Sequence, residues 1–243
     1  MEDWEYSKFR DSATDKNGRT IDGQTDLSEE QFVAVARDED SRTLLHHLCR
    51  GHEQRDVAAE LRRVIAIGAN VNARDCDGRT ALHELCGSIY GHAQFDELEA
   101  IDVLLRAGAE IDARDNRGDT PLMYSLRYMC PETDESEEDE EGMYIPPISR
   151  HLLMRGAQVN ISDQDGLSPL HLAVAYDYVP LARLLLDHGA DATVATIGNE
   201  HLYNRKLVLL DNHSGVPVPV GSTPLDIAQS DRMRELLAHR AVR

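Results

Sequence analysis

His83-Glu84-Leu85-Cys86 begins like the zinc-protease signature H-E-x-x-H, in which two histidines one helical turn apart hold the metal and the glutamate acts as base. The fifth residue is Gly87, so the second ligand is missing. His52-Glu53-Gln54-Arg55 stops short in the same way, with Asp56 in the ligand place. There is no phosphate-cradling loop, no Gly-rich dinucleotide turn and no G-x-S-x-G elbow. The four cysteines, Cys49, Cys76, Cys86 and Cys130, lack C-x-x-C spacing. They read as free thiols in a reducing compartment, cytoplasmic or nuclear, with a disulfide or a metal site as the alternative. The chemistry-bearing residues therefore point away from catalysis, and neither a cofactor nor a metal is expected.

Charge narrows the partners. Lys and Arg number 25 against 44 Asp and Glu, a net charge of −19. Such a balance argues against nucleic acid and against anionic membrane surfaces. No run of about 18 apolar residues offers a membrane span. Met1-Glu2-Asp3-Trp4-Glu5 is acidic and lacks the basic-then-apolar pattern of a secretion signal.

The elements that position these residues are repeated. Thr43-Leu44-Leu45-His46 returns as Thr80-Ala81-Leu82-His83, Thr120-Pro121-Leu122-Met123, Ser168-Pro169-Leu170-His171 and Thr223-Pro224-Leu225-Asp226. The opening hydroxyl suits a helix cap, and Pro suits the first helical position, where a missing N–H costs nothing. A second apolar run follows, ended by Gly68, Gly108, Gly156 or Gly189 in the manner of a left-handed helix stop. Asp77-Gly78 and Asp165-Gly166 are turn dipeptides just before the next phrase. One unit therefore reads as helix, turn, helix and hairpin-like finger.

This unit resembles the ankyrin repeat, whose phrase is T-P-L-H-x-A with a 33-residue period. The resemblance covers roughly residues 38 to 239 and implies an all-α ankyrin-repeat solenoid of about five repeats with β-hairpin-like fingers. One repeat cannot bury its own apolar face, so neighbours must stack. The openings at 43, 80, 120, 168 and 223 exceed the period by 4, 7, 15 and 22 residues. The first three insertions fall between the two helices of a repeat, and the last falls in the finger.

The resemblance also implies roles. The phrase histidines His46, His83 and His171 should bond the opening Thr or Ser and tie the finger to the helix; Met123 and Asp226 replace them, so those two fingers should be held less rigidly. Partner contacts in the family come from finger tips and the exposed side of first helices. Those positions hold Arg42, Arg74, Arg79, Arg114, Arg117 and Leu167 on fingers, and Arg127, Tyr128 and Tyr176 on helices. Arg and Tyr dominate interface energetics, and Arg forks suit carboxylates. The expected function is non-catalytic protein binding, as an adaptor, scaffold or inhibitor that acts as a monomer on a partner with an acidic segment. Against this, the finger arginines can simply pair with Asp75, Asp77 and Asp115. An alternative function is an insertion-built pocket for a small ligand or catalysis, using His201, Tyr203 and His213.

The expected domain layout is an N-terminal acidic arm over 1–26, the repeat domain over 27–239 and a short tail over 240–243. Ser28-Glu29-Glu30-Gln31 fits a capping box before a helix that covers the first repeat. Residues 131–142 form an acidic insertion expected to be disordered. Residues 194–220 form the finger insertion, with 205–210 strand-like and 216–220 limited by two prolines to an edge or extended segment. Either a β-finger or a loop fits. Ser136 and Thr133 stand in acidic contexts that suit an acidophilic kinase, and phosphate adds about −1.5 to −2 charges. Mass analysis of protein from its native cell tests this: phosphate on either residue is the expected result, and unmodified protein under all conditions leaves only electrostatic roles for the insertion.

Overall fold

The computed structural model describes residues 14, 36–50, 56–87, 95–127, 147–198, 200–202 and 216–241. They form two compact units, one running through Asn116 and the other starting at Arg117. The first holds α1 (Leu44–Arg50), α2 (Val57–Ala66), α3 (Ala81–Cys86) and α4 (Phe95–Arg106). The second holds α5 (Pro121–Arg127), α6 (Pro147–Met154), α7 (Pro169–Ala175) and α8 (Val179–Asp187). It continues through β1 (Glu200–Leu202), β2 (Val216–Val218), α9 (Pro224–Ile227) and α10 (Asp231–Ala241). Like packs on like: α1 on α3 and α2 on α4 in the first unit, α5 on α7, α7 on α9 and α8 on α10 in the second. This is the all-α repeat solenoid class.

Burial explains the stacking. Leu45, Leu82, Leu122 and Leu170, the third residue of the first four phrases, are at most 1% exposed, whereas Leu225 of the fifth is 43% exposed. Every residue of α7 is buried, so a lone repeat could not shield it. The second helices are amphipathic instead: α2 buries Val57, Ala58, Leu61 and Val64 and exposes Arg62 and Arg63.

Each first helix is fixed by its cap. Thr80 donates to His83 Nδ1 through its N–H (3.1 Å) and its hydroxyl (2.9 Å). Thr43 with His46 repeats this at 3.1 and 2.9 Å, and Ser168 with His171 at 3.1 and 2.8 Å. A ring nitrogen that accepts leaves the proton on Nε2. That proton goes forward to the next repeat, from His46 to the Arg79 carbonyl (3.0 Å) and from His171 to the Ser222 carbonyl (3.2 Å). Asp226 keeps only the cap: its carboxylate takes the Thr223 N–H (2.8 Å) and hydroxyl (2.7 Å).

The fingers before the first four phrases carry an aspartate five residues ahead of the opening Thr or Ser. Asp38 Oδ1 accepts from the Asp40 and Arg42 N–H groups at 2.9 and 2.8 Å. Asp75 does the same for Asp77 and Arg79 at 2.9 Å each, and Asp163 for Asp165 and Leu167 at 3.0 and 2.8 Å. Backbone bonds then link adjacent tips. Cys76 donates to the Asp40 carbonyl and Asn116 to that of Asp77, both at 2.8 Å, in the first unit. Gln164 donates to Arg117 (2.9 Å) and Ile197 to Asp165 (2.8 Å) in the second. Tips this close demand glycine. A Cβ on Gly78 (φ +79°) would lie 2.9 Å from the Asn116 nitrogen, and one on Gly166 (φ +80°) 2.8 Å from that of Ile197. Ser41 fills the same place in the first finger at φ 62°, a left-handed conformation that costs a side chain energy.

In most fingers the bond's donor and acceptor residues are sequence neighbours. In the last finger residues 198–219 separate Ile197 from Val220. The insertion thus leaves from the tip, as an antiparallel ribbon with Glu200 opposite Val218 and Leu202 opposite Val216. The first strand stands at 200–202, ahead of the expected 205–210, which lies outside the described residues. So do 131–142, all of 27–35 and most of the N-terminal arm. Thr14 of that arm exchanges two backbone bonds with Arg37, at 2.8 and 2.9 Å.

Two outcomes are expected. Gly78→Ala should lose on the order of 1–3 kcal/mol from the strained φ and the contact with Asn116, whereas Ser41→Gly should be neutral or gain up to about 1 kcal/mol; urea unfolding measures both. Acid should unlock the histidine caps first. Burial lowers the pKa values of His46 and His171, so the unfolded chain binds protons that the folded chain refuses. Their contribution is complete above the unfolded value near 6.5 and fades as pH falls below it. The Thr223 hydroxyl and N–H lower the pKa of Asp226, whose contribution persists above the usual carboxylate range and is lost only in stronger acid. A pH series of unfolding midpoints, with and without His46→Gln and His171→Gln, measures this: the variants should flatten the decline below about pH 6.5.

Candidate protein-interaction surface

The arginines expected to bind a partner turn out to have internal duties of graded strength. Arg42 is 15% exposed, with Nη1 2.6 Å from Asp40 and Nε 3.7 Å from the buried Asp75 carboxylate. Arg79 is 27% exposed and pairs with Asp77 (3.2 Å) and Glu84 (3.6 Å). Arg74 is 45% exposed, yet its Nη1 donates to the Gly78 carbonyl (3.0 Å) and to that of Arg114 on the next finger, and its Nη2 lies 3.9 Å from Glu110. Arg37 braces in the same way, donating to the Ser41 and Arg74 carbonyls at 2.7 and 2.6 Å. Arg114 keeps an exposed side chain in the first unit, and Arg117 does so in the second, where its carbonyl takes the Gln164 bond. Pairing with neighbouring acids thus describes Arg42 and Arg79 well, and Arg74 and Arg114 are the exposed arginines of the first unit's fingers.

Two expected contact residues are corrected by burial. Leu167 is 0% exposed, because the position before the opening Ser points into the packing of the finger on the helix. Arg127 is 10% exposed, with Nε 3.1 Å from Asp119 and Nη2 2.6 Å from Asp163. Both carboxylates are at most 3% exposed, so Arg127 neutralises two finger aspartates instead of facing a partner. Tyr176 is half-buried at the end of α7. Tyr128, Thr133 and Ser136 lie outside the described residues, as do Tyr203, His213 and Cys130.

The side chains that join repeats were missed among the phrases. Asn72 clamps the next repeat with both amide atoms: Nδ2 donates to the Gly108 carbonyl (2.8 Å) and Oδ1 accepts from Glu110 N–H (2.9 Å). Asn160 does the same with Gly189 (3.0 Å) and Asp191 (2.8 Å). Their shared place, four residues after the helix-stopping glycine, was the available signal. The aspartate five residues before each of the first four opening hydroxyls was another. Cys49 and Cys86 are buried free thiols, and burial pushes both up, away from the reactive thiolate. Among the described residues no group of three His, Cys, Asp or Glu side chains is placed to hold a metal ion, and no helix is long and apolar enough to cross a membrane.

Arg127→Met should cost about 3–5 kcal/mol, since it strands two buried carboxylates, while Arg114→Ala should stay within about 0.5 kcal/mol. Chemical denaturation compares them, and equal costs would refute the division into structural and exposed arginines.

Similarities to known proteins fit this geometry. Residues 77–116 match the family "Ankyrin repeat", and residues 152–204 match "Ankyrin repeats (many copies)". The chain is 56% identical over 71 residues to the ankyrin repeat and LEM domain-containing protein 1 homolog of Caenorhabditis elegans, covering 29% of this chain and 9% of that protein. It is 30% identical over 146 residues to the B-cell lymphoma 3 protein homolog of Mus musculus, covering 60% of this chain and 24% of that protein. Against the nuclear factor NF-kappa-B p105 subunit of Gallus gallus it is 26% identical over 144 residues, 58% of this chain and 13% of that protein. The chain thus spans a quarter or less of the length of these relatives. With its repeated caps, stacked helix pairs and bonded fingers, and with family matches in each of the two compact units, this chain belongs to the ankyrin-repeat family.

Proposed function

We propose that the chain is a non-catalytic protein-binding module, an adaptor, scaffold or inhibitor, that acts as a monomer. Ankyrin repeats are generally protein–protein interaction modules, which supports the coarse reading; the partner and the site are our own inference. One observation carries the site: in the first unit, tips bonded to each other through Cys76 and Asn116 present the exposed side chains of Arg74 and Arg114. A surface already fixed in place loses little entropy on binding. Guanidinium groups there suit a carboxylate-rich segment. The buried thiols of Cys49 and Cys86 fit a reducing compartment.

The test is affinity capture from native lysate, followed by titration of the captured protein. Arg114→Glu should weaken binding at least about tenfold. Arg234→Glu on the exposed face of α10 should change it by less than about twofold. Equal losses would remove the site from the fingers of the first unit.

A further inference from the structure

The third repeat has Met123 where its neighbours carry the phrase histidine, and Met123 is 0% exposed. A thioether has no proton to send forward. That replacement implies a loosely held finger, yet the fourth finger is closed in the same way as the others. Asp163 donates its N–H to the Leu167 carbonyl (3.0 Å), and its Oδ1 accepts from the Asp165 and Leu167 N–H groups at 3.0 and 2.8 Å. The third repeat grips this turn through Arg127, whose Nη2 donates to the other oxygen of Asp163, Oδ2, at 2.6 Å.

A histidine would take hold of the same turn. His46 and His171 each reach the carbonyl of the residue just before the next opening hydroxyl, Arg79 in one case and Ser222 in the other. In the fourth finger that residue is Leu167, which Asp163 holds by both of its backbone groups. Arg127 follows Met123 by four residues on α5, about one helical turn, so the two share a face. The corresponding places in other repeats hold Arg50, which is exposed, Gly87 and Ala175.

The charges are exchanged as well. Just before the opening hydroxyl the first two repeats have cations, Arg42 and Arg79, and Arg42 Nε lies 3.7 Å from the aspartate of the next finger, Asp75. The third repeat has Asp119 in that place, and Arg127 Nε donates to it at 3.1 Å. The cation has moved from the finger to the end of the helix, and an anion stands where the cation was. Neither change is tolerable alone, because Asp119 and Asp163 are both buried and a buried carboxylate without its cation is costly.

We propose that Arg127 is the positioning residue of the fourth finger, an ionic lock that does for the third repeat what an imidazole does for its neighbours, with Met123, Asp119 and Arg127 exchanged as a set. The lock reaches the backbone through a side chain: Arg127 holds the carboxylate, and the carboxylate holds two amides.

Hydrogen exchange of single amides in the full chain tests this. The double variant Asp119→Arg, Arg127→Gly copies the charges of the second repeat and supplies no tie. Adding Met123→His copies the tie as well. The Asp165 and Leu167 amides should exchange at least about fivefold faster in the double variant than in the wild type, and the triple variant should bring them back to within about twofold. The Asp77 and Arg79 amides, in the first unit, should change in neither. A triple variant no slower than the double, or acceleration spread equally over both units, would overturn the lock. If the double variant does not fold, recovery of a folded chain on adding Met123→His supports the lock, and a triple variant that is also unfolded overturns it.

Discussion

Each unit depends on an imidazole that uses both of its nitrogens at once. A first helix of six or seven residues is too short to stand alone, since nucleation is costly and few backbone bonds repay it. The phrase histidine stabilises it at one end by accepting from the cap residue, and ties it sideways by donating to a finger carbonyl of the next repeat. Local helix and long-range stacking are therefore one hydrogen-bonded object. A repeat whose neighbour is displaced loses the forward bond, and its ring nitrogen is left buried without an acceptor. This makes the stack cooperative between neighbours although each contact is short-ranged.

The second constraint is electrostatic. Three fingers are closed by an aspartate, Asp38, Asp75 or Asp163, whose carboxylate is drawn into the turn, and a buried carboxylate needs a cation or several donors. Asp75 has Arg42 near it, and Asp163 shares Arg127 with Asp119. Many arginines of this acidic chain are thus committed to the turns that shape the fingers. The surface left for partners consists of what the turns do not require, which is why exposed arginines are fewer than arginines on fingers.

The helices, their starts and the buried leucines were legible because each rests on residues close in sequence, repeated five times. Cap pairs lie three residues apart, and helix stops are single glycines. The misread positions rest on distant contacts. Arg127 looked like a surface arginine because its partners lie eight and 36 residues away. Leu167 sits where other repeats have Arg42, Arg79 and Asp119, and only the packed finger shows that this place is inside. The ribbon strands at 200–202 and 216–218 rest on pairing between segments that sequence separates, which local β-propensity does not mark.

That point of departure has a consequence for how such a chain can change. The bond between tips joins one residue to its counterpart in the neighbouring finger and does not require donor and acceptor residues of one finger to be neighbours in sequence. Length added between them leaves the bond from Ile197 to Asp165 in place, as the span from Ile197 to Val220 shows. The finger apex is therefore a site of free variation, where new sequence can be tried on a scaffold that does not register the trial.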